Sequence, residues 1–307
     1  MSNCPLFSKN KKEIFDFFTK TLTESITTWD YFVNWEKVVK NKEKIEIELN
    51  ILNSLLGKKE NFRKKAVELF LKYPETIKAI PFLLATRENL IKILSDINSL
   101  EIKEFNFNLT SITEQEANKF VTLLEKTGLA KLIKHNHLKN LHDYITGVEV
   151  GLDTNARKNR IGKLMEQIVE EFVVKACKNH NADYISQATK RKIKEKWNIH
   201  INIKKSSKIV DFAILTTEKK LLFIETNFYG GGGSKLKSTA GEYITMSEFW
   251  EQQGIDFIWI TDGHGWKNTL KPLEEFFLKN KKLLNLAMLK LGCLEELLKK
   301  RSIGGNK

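Results

Sequence analysis

Two carboxylates sit where carboxylates are costly. Asp211 lies inside the apolar run IVDFAIL, and Glu225 lies inside LLFIETN. A buried carboxylate must be paired, hydrogen-bonded or bound to a metal to be tolerated. KIVDFAILTT (208–217) and LLFIETNF (221–228) are rich in β-branched and apolar residues on both faces, so both read as strands. The turn residues between them bring the two carboxylates to the same end of a hairpin. A turn centred on Glu218 sets Asp211 opposite Glu225, whereas a four-residue turn from Thr217 to Lys220 shifts the register by one. Asn227 shares the face of Glu225 by the strand period of two.

Two carboxylates converging at a strand end suit a hard divalent cation. Mg²⁺ takes one or two protein carboxylates and keeps waters. Such an ion generates hydroxide and neutralises charge on a phosphate under in-line attack. The structural alternative is a pair of ion pairs with nearby lysines. A third acid, Glu166, lies in NRIGKLMEQIVEEFVV, at the edge of the apolar stripe Ile161, Leu164, Met165, Ile168, Val169, Phe172 and Val173. Alone it reads as a solvated helix residue. Gly162 upstream lets that helix approach a sheet closely.

The run YGGGGSKLKSTAGEY (229–243) follows directly. It reads either as a flexible linker or as a loop whose backbone N–H groups approach phosphates, with Ser234, Lys235 and Lys237 beside them. DTNARKNR (153–160) supplies Arg157, Lys158 and Arg160 with Asn155 and Asn159. That mixture suits phosphate contact and base-edge reading, since Arg pairs with guanine and Asn with adenine; a solvated basic loop is the alternative. His135, His137 and His142 are set aside as a metal site, because His135 and His137 face different sides of a helix. Trp29 and Trp35 read as core residues in preference to base-stacking ones.

These residues need elements to hold them. Residues 1–145 read as a helical N-terminal domain: IEIELNILNSLLG (45–57), FRKKAVELFLKYP (62–74) and ITEQEANKFVTLLEKTGL (112–129) carry helical apolar spacing, the last opening with a Thr113-x-x-Glu116 capping box. The character changes near Gly147, and residues 146–307 form the second domain. There, GLDTNARKNRIG (151–162) is polar and turn-rich, and 163–177 is a helix. GIDFIWITDGHGW (254–266) is a third buried strand, and 271–300 gives two amphipathic helices. Strands apolar on both faces imply an α/β fold, a sheet with helices above and below.

At 307 residues the chain has room for one large domain or two moderate ones. Lys+Arg of 51 against Asp+Glu of 38 gives a net charge of +13, which puts polyanions first among partners. No apolar run is long enough to span a membrane. Cys4, Cys177 and Cys293 lack metal-site spacing and read as free buried thiols, consistent with the cytoplasm.

The hairpin with Asp211, Glu225 and Asn227, preceded by a helix with Glu166, resembles the PD-(D/E)xK nuclease core. More specifically, the chain is similar to the DpnII/MboI group of type II restriction endonucleases. The likeness spans WDYFVNWEKVVKN (29–41), ILNSLLG (51–57), DYITGVEVGLDTNARKNRIGKLME (143–166), FIETNFYGGGGSKL (223–236) and WITDGHGW (259–266), of which 143–166 is the most specific. The resemblance implies a restriction-endonuclease-like core, a mixed central sheet flanked by helices. Asp211 and Glu225 would be Mg²⁺ ligands and Glu166 an accessory acid. It implies Mg²⁺-dependent hydrolysis of double-stranded DNA at unmethylated 5′-GATC-3′, cut before the G to leave 5′-phosphates. A homodimer matched to the palindrome and a cognate adenine DNA methyltransferase are implied with it. Asn227 stands where the wider family carries a lysine; its amide oxygen could orient a water, but it supplies no charge, which Lys235 could bring from the glycine loop. The rivals are a DNA-binding protein with a degraded site, a repair or junction nuclease of the same fold, and a general polyanion binder.

Overall fold

The computed structural model describes residues 4–135, 137–202 and 209–302. The chain divides into two compact units, Trp29–Arg157 and Met1–Thr28 with Lys158–Lys307. Residue 146, where the sequence changes character, lies within the helix Leu141–Thr154.

In the unit Trp29–Arg157, the helices Glu46–Leu52, Phe62–Lys72, Glu114–Lys126 and Leu141–Thr154 bury Leu49, Phe70, Phe120, Val121 and Ile145 in one core. The expected capping box forms: Thr113 N donates to Glu116 Oε2 at 2.8 Å and Glu116 N to Thr113 Oγ1 at 3.3 Å. Two expectations need correction. The unit is not wholly helical, because β1 (Leu90–Asp96) and β2 (Glu101–Asn106) form an antiparallel hairpin. Its turn is set by Asp96, whose Oδ1 accepts from Asn98 N (2.7 Å) and Ser99 N (2.9 Å). Trp29 and Trp35 are not core residues, being 98% and 60% exposed. The spacing of large apolar residues there does not match a helix face, since Trp29 sits in a single turn, Trp29–Tyr31, before the helix Trp35–Glu43 begins.

The other unit is mixed α/β. The helix Arg157–Asn179 leads to β3 (Asp183–Thr189), β4 (Ile209–Leu215) and β5 (Leu221–Phe228), which pair antiparallel in that order. The helix Ser234–Glu251 then crosses to β6 (Asp256–Asp262), parallel to β5, and the two-residue β7 (Leu283–Leu284) extends the sheet in parallel. A parallel neighbour needs such a crossover. Met165, Val169 and Val173 of the first helix and Tyr243, Met246 and Trp250 of the second share one core with Phe212, Phe223, Phe257 and Trp259 of the strands. The stretch 151–162, expected as turns, is almost wholly helical: only Asn155 and Ala156 separate Leu141–Thr154 from Arg157–Asn179. Thr154, Asn155, Lys158 and Asn159 are exposed, whereas Asp153 is buried and Arg157 and Arg160 are half-buried, a pattern that composition alone does not distinguish from a loop. The last stretch holds three helices, Leu270–Asn280, Leu286–Lys290 and Cys293–Ser302, in place of two.

The N-terminal helix Lys11–Lys20 belongs to this second unit. Asp262, fully buried at the end of β6, accepts from Thr23 N (2.6 Å), Thr23 Oγ1 (3.1 Å), Gly263 N (2.7 Å) and Leu286 N (2.9 Å). Four donors satisfy the charge and tie three distant segments together. Asn285 Nδ2 adds bonds to Phe18 O (2.9 Å) and Thr21 Oγ1 (2.8 Å). This docking brings Cys4 to Cys293, with Cα atoms 5.0 Å apart, and the two are joined by a disulfide. The expectation of three free thiols is thereby corrected, and the compartment inference loses that premise. Their separation of 289 residues hid the pair from any reading of spacing. Cys177 stays a free, buried thiol, its pKa pushed up to about 12 by desolvation. Among the described residues no helix is long and apolar enough to cross a membrane.

Candidate active site

The pairs Phe212–Ile224, Ala213–Phe223, Ile214–Leu222 and Leu215–Leu221 fix the β4–β5 register. It is the register centred on Glu218, closed by Thr216 N to Lys220 O at 3.0 Å, with Lys219 at φ 60° in the left-handed region. Continued by one residue, it sets Asp211 opposite Glu225. Asp211 Oδ2 accepts from Thr226 N at 2.7 Å and Thr226 Oγ1 at 3.0 Å, so the residue after Glu225 holds the opposing carboxylate. Burial raises the Asp211 pKa, and the two Thr226 bonds pull the other way.

Glu225 is 8% exposed and its Oε2 accepts from Tyr243 Oη at 3.2 Å. Tyr243 projects from the crossover helix Ser234–Glu251, and burial followed by the Glu225 charge pushes its pKa up, keeping the phenol a donor. Asn227 Nδ2 donates to Tyr243 Oη at 3.3 Å. Asn227 Oδ1 accepts from Thr261 Oγ1 (2.6 Å) and Trp259 Nε1 (3.2 Å), and Trp266 Nε1 donates to Thr261 Oγ1 (2.8 Å). A directed chain therefore runs from Trp266 through Thr261, Asn227 and Tyr243 to Glu225, and its members polarise one another. The amide oxygen that sequence reasoning reserved for a water already has two donors.

Glu166 lies on the helix Arg157–Asn179, half-buried, and its Oε2 accepts from Gln187 Nε2 at 2.7 Å. Burial, and then the charge of Asp211, raises its pKa. The structure thus gathers Asp211, Glu225, Asn227 and Glu166 around β4 and β5. Thr226, Tyr243 and Gln187 escaped sequence reasoning. Thr226 lay within the ETN motif, whereas nothing local marks Tyr243 or Gln187, which arrive from other elements.

The remaining candidates sit elsewhere on their own elements. Arg157, in the unit Trp29–Arg157, is engaged there: its Nε donates to Phe32 O at 3.0 Å and its guanidinium lies 5.9 Å from the Tyr31 ring centroid. Asn155 is exposed at the end of Leu141–Thr154; Lys158 and Asn159 are exposed, and Arg160 half-buried, in the first turns of the next helix. Ser234, Lys235 and Lys237 are exposed in the first turn of Ser234–Glu251. The glycine run before them is held against the 263–265 loop, with Gly265 N donating to Tyr229 O at 2.7 Å and Tyr229 N to Asp262 O at 2.9 Å. A Cβ on Gly265 would lie 2.6 Å from Tyr229 O and would also strike Gly231 O.

Among the described residues no three acidic, His or Cys side chains converge as a metal cage. The donors of Asp211 and Glu225 still fit Mg²⁺, which needs only one or two carboxylates and completes its shell with water.

The DpnII restriction endonuclease family model matches residues 14–296. The chain is 48% identical over 288 residues to the type II restriction enzyme MjaIII of Methanocaldococcus jannaschii, covering 92% of this chain and 99% of that protein. It is 41% identical to LlaDCHI of Lactococcus lactis subsp. cremoris, covering 92% and 94%. It is 35% identical to DpnII of Streptococcus pneumoniae, covering 86% and 91%. These likenesses define a site-specific deoxyribonuclease acting on double-stranded DNA. The chain belongs to the DpnII restriction endonuclease family.

Proposed function

We propose that the enzyme cuts double-stranded DNA at unmethylated 5′-GATC-3′, before the G, by Mg²⁺-dependent hydrolysis that leaves 5′-phosphates. The observation that carries the chemistry is the placement of Asp211 opposite Glu225, each carboxylate held by a hydrogen bond from a neighbouring residue. The sequence specificity rests on the likeness to the DpnII/MboI group.

The helix Arg157–Asn179, the antiparallel β3, β4 and β5 with the helix Lys190–Trp197 between β3 and β4, the crossover helix and the parallel β6 support reading this unit as a PD-(D/E)xK core. Asp211 and Glu225 would hold Mg²⁺, which when bound lowers the pKa of a water and neutralises charge on the phosphate. The protein's own residues orient that pair. Thr226 fixes Asp211 by Oδ2, and Tyr243 fixes Glu225 by Oε2. Asn227 serves this site by holding Tyr243 and leaves the water to other groups. Lys235 brings a cation on the crossover helix and, with Ser234 and Lys237, contacts phosphates. Asn155, Arg157, Lys158, Asn159 and Arg160 contact DNA from the 153–160 segment. A homodimer matches the two-fold symmetry of the site, and an adenine methyltransferase protects the host DNA in the cytoplasm.

The test is digestion of plasmid from adenine-methylating and non-methylating hosts, with Mg²⁺ or with chelator, followed by end sequencing. The expected result is discrete ends before GATC from the unmethylated plasmid alone, abolished by chelator. Discrete ends at another sequence would overturn the specificity, and cleavage in chelator would overturn the metal chemistry.

A further inference from the structure

We propose that Gln187 is a positioning residue for the cleavage reaction, setting the Glu166 carboxylate beside Asp211. The inference rests on the proposed active site and adds a residue to it.

Three observations meet at Gln187. It lies inside β3, yet its φ is 47°, in the left-handed region that a side-chain-bearing strand residue avoids. The paired positions on either side are Ser186–Phe212 and Ala188–Val210, so Gln187 stands opposite Asp211 in the adjacent strand. Its amide Nε2 donates to Glu166 Oε2 at 2.7 Å, reaching across to the helix Arg157–Asn179. One residue thus links the strand position facing Asp211 to the third acid.

The unusual backbone is held from outside. Lys192 Nζ donates to Gln187 O at 3.0 Å and Ser186 O at 3.2 Å, and the Thr189 side chain caps the helix Lys190–Trp197 through Lys192 N at 3.2 Å. A sparsely populated conformation persists where surrounding bonds over-determine it, and such positions gather at functional sites. Gln187 is itself exposed, so it does not fill a core and its bond to Glu166 is open to the solvent face of the site. Oriented partners one shell out from metal-site acids act in this way.

Glycine suits this backbone, which makes Gln187→Gly the informative variant: it relieves the conformation and deletes an exposed side chain with its amide. We measure its thermal midpoint, its DNA affinity in chelator, the rise in midpoint on adding Ca²⁺, and its single-turnover cleavage rate across Mg²⁺ concentrations. Gln187→Gly should match or exceed the parent's midpoint and bind DNA equally well. Its Ca²⁺-induced rise should be smaller, and its cleavage should be slower by about 10- to 100-fold, the range for lost outer-shell partners. In a Glu166→Gln background the same change should cost nothing further, since the two act as one unit. Parental cleavage by Gln187→Gly, or an equal loss added on top of Glu166→Gln, would overturn the inference while leaving the active site intact. Parental cleavage by Glu166→Gln alone would instead remove Glu166 from the proposed site, and the inference with it.

Discussion

At the scale of the residue, the proposed site depends on carboxylates that are partly withdrawn from water. Burial raises the pKa of both Asp211 and Glu166, and the charge of Asp211 raises that of Glu166 further. Both must be ionised to serve a divalent cation. Cleavage should therefore fall with decreasing pH at a point above the ordinary carboxylate pKa of about 4. Raising Mg²⁺ should move that fall to lower pH, because metal and proton compete for the same oxygens. The sign for stability is the reverse. Between the unfolded and the raised folded pKa values the native state holds the extra proton, so the metal-free protein loses stability as pH rises through that window. Single-turnover rates at several pH values and Mg²⁺ concentrations check this; a pH profile that ignores Mg²⁺ would contradict it. The sequence already showed Asp211 and Glu225, because an acid inside an apolar strand is conspicuous in one dimension. Gln187 and Tyr243 were illegible for the opposite reason: each is an ordinary polar residue in its own element and acquires meaning only from a partner on another.

At the scale of the element, the hairpin β4–β5 and the loops beyond it must meet closely. The glycine run reads from sequence as a linker or a phosphate loop, but Tyr229 and Gly231 lie so close to the 263–265 loop that Gly263 and Gly265 have no room for side chains. Gly265→Ala should destabilise the protein by about 1–3 kcal/mol, as overpacking does, because the obstruction is backbone and cannot rotate away. A midpoint in denaturant unchanged from the parent would show that the loops part freely. Buried strands were readable because both faces are apolar. The β1–β2 hairpin was not read, since its register is set by an Asp96 turn inside a stretch that otherwise alternates weakly among helices. The helical 151–162 stretch was misread for a related reason: a run of polar residues has the same composition on a helix and in a loop.

At the scale of the whole molecule, the chain closes on itself. Residues 4–28 belong with the mixed α/β unit, held by Asp262, Asn285 and the Cys4–Cys293 disulfide. No local pattern announces a contact across 289 residues, so the sequence suggested two successive domains. On the chain-entropy account, closing so long a loop stabilises the fold by about 6 kcal/mol. Cys4→Ser should then lower the thermal midpoint under oxidising conditions and erase any dependence on reductant, whereas the parent should melt lower once reduced. Identical melting of parent and variant in both conditions would show that the segment is held by its hydrogen bonds alone.

The central claim is that hydrolysis occurs at the paired carboxylates of β4 and β5. Its most direct test is single-turnover cleavage of a GATC duplex by Asp211→Asn, with DNA affinity measured in parallel. The substitution keeps an oxygen to accept from Thr226 and removes the charge. The account predicts intact DNA binding with cleavage lost by on the order of a thousandfold or more, the loss of several kcal/mol of metal-borne charge stabilisation. Cleavage within a few-fold of the parent would contradict it and place the chemistry elsewhere.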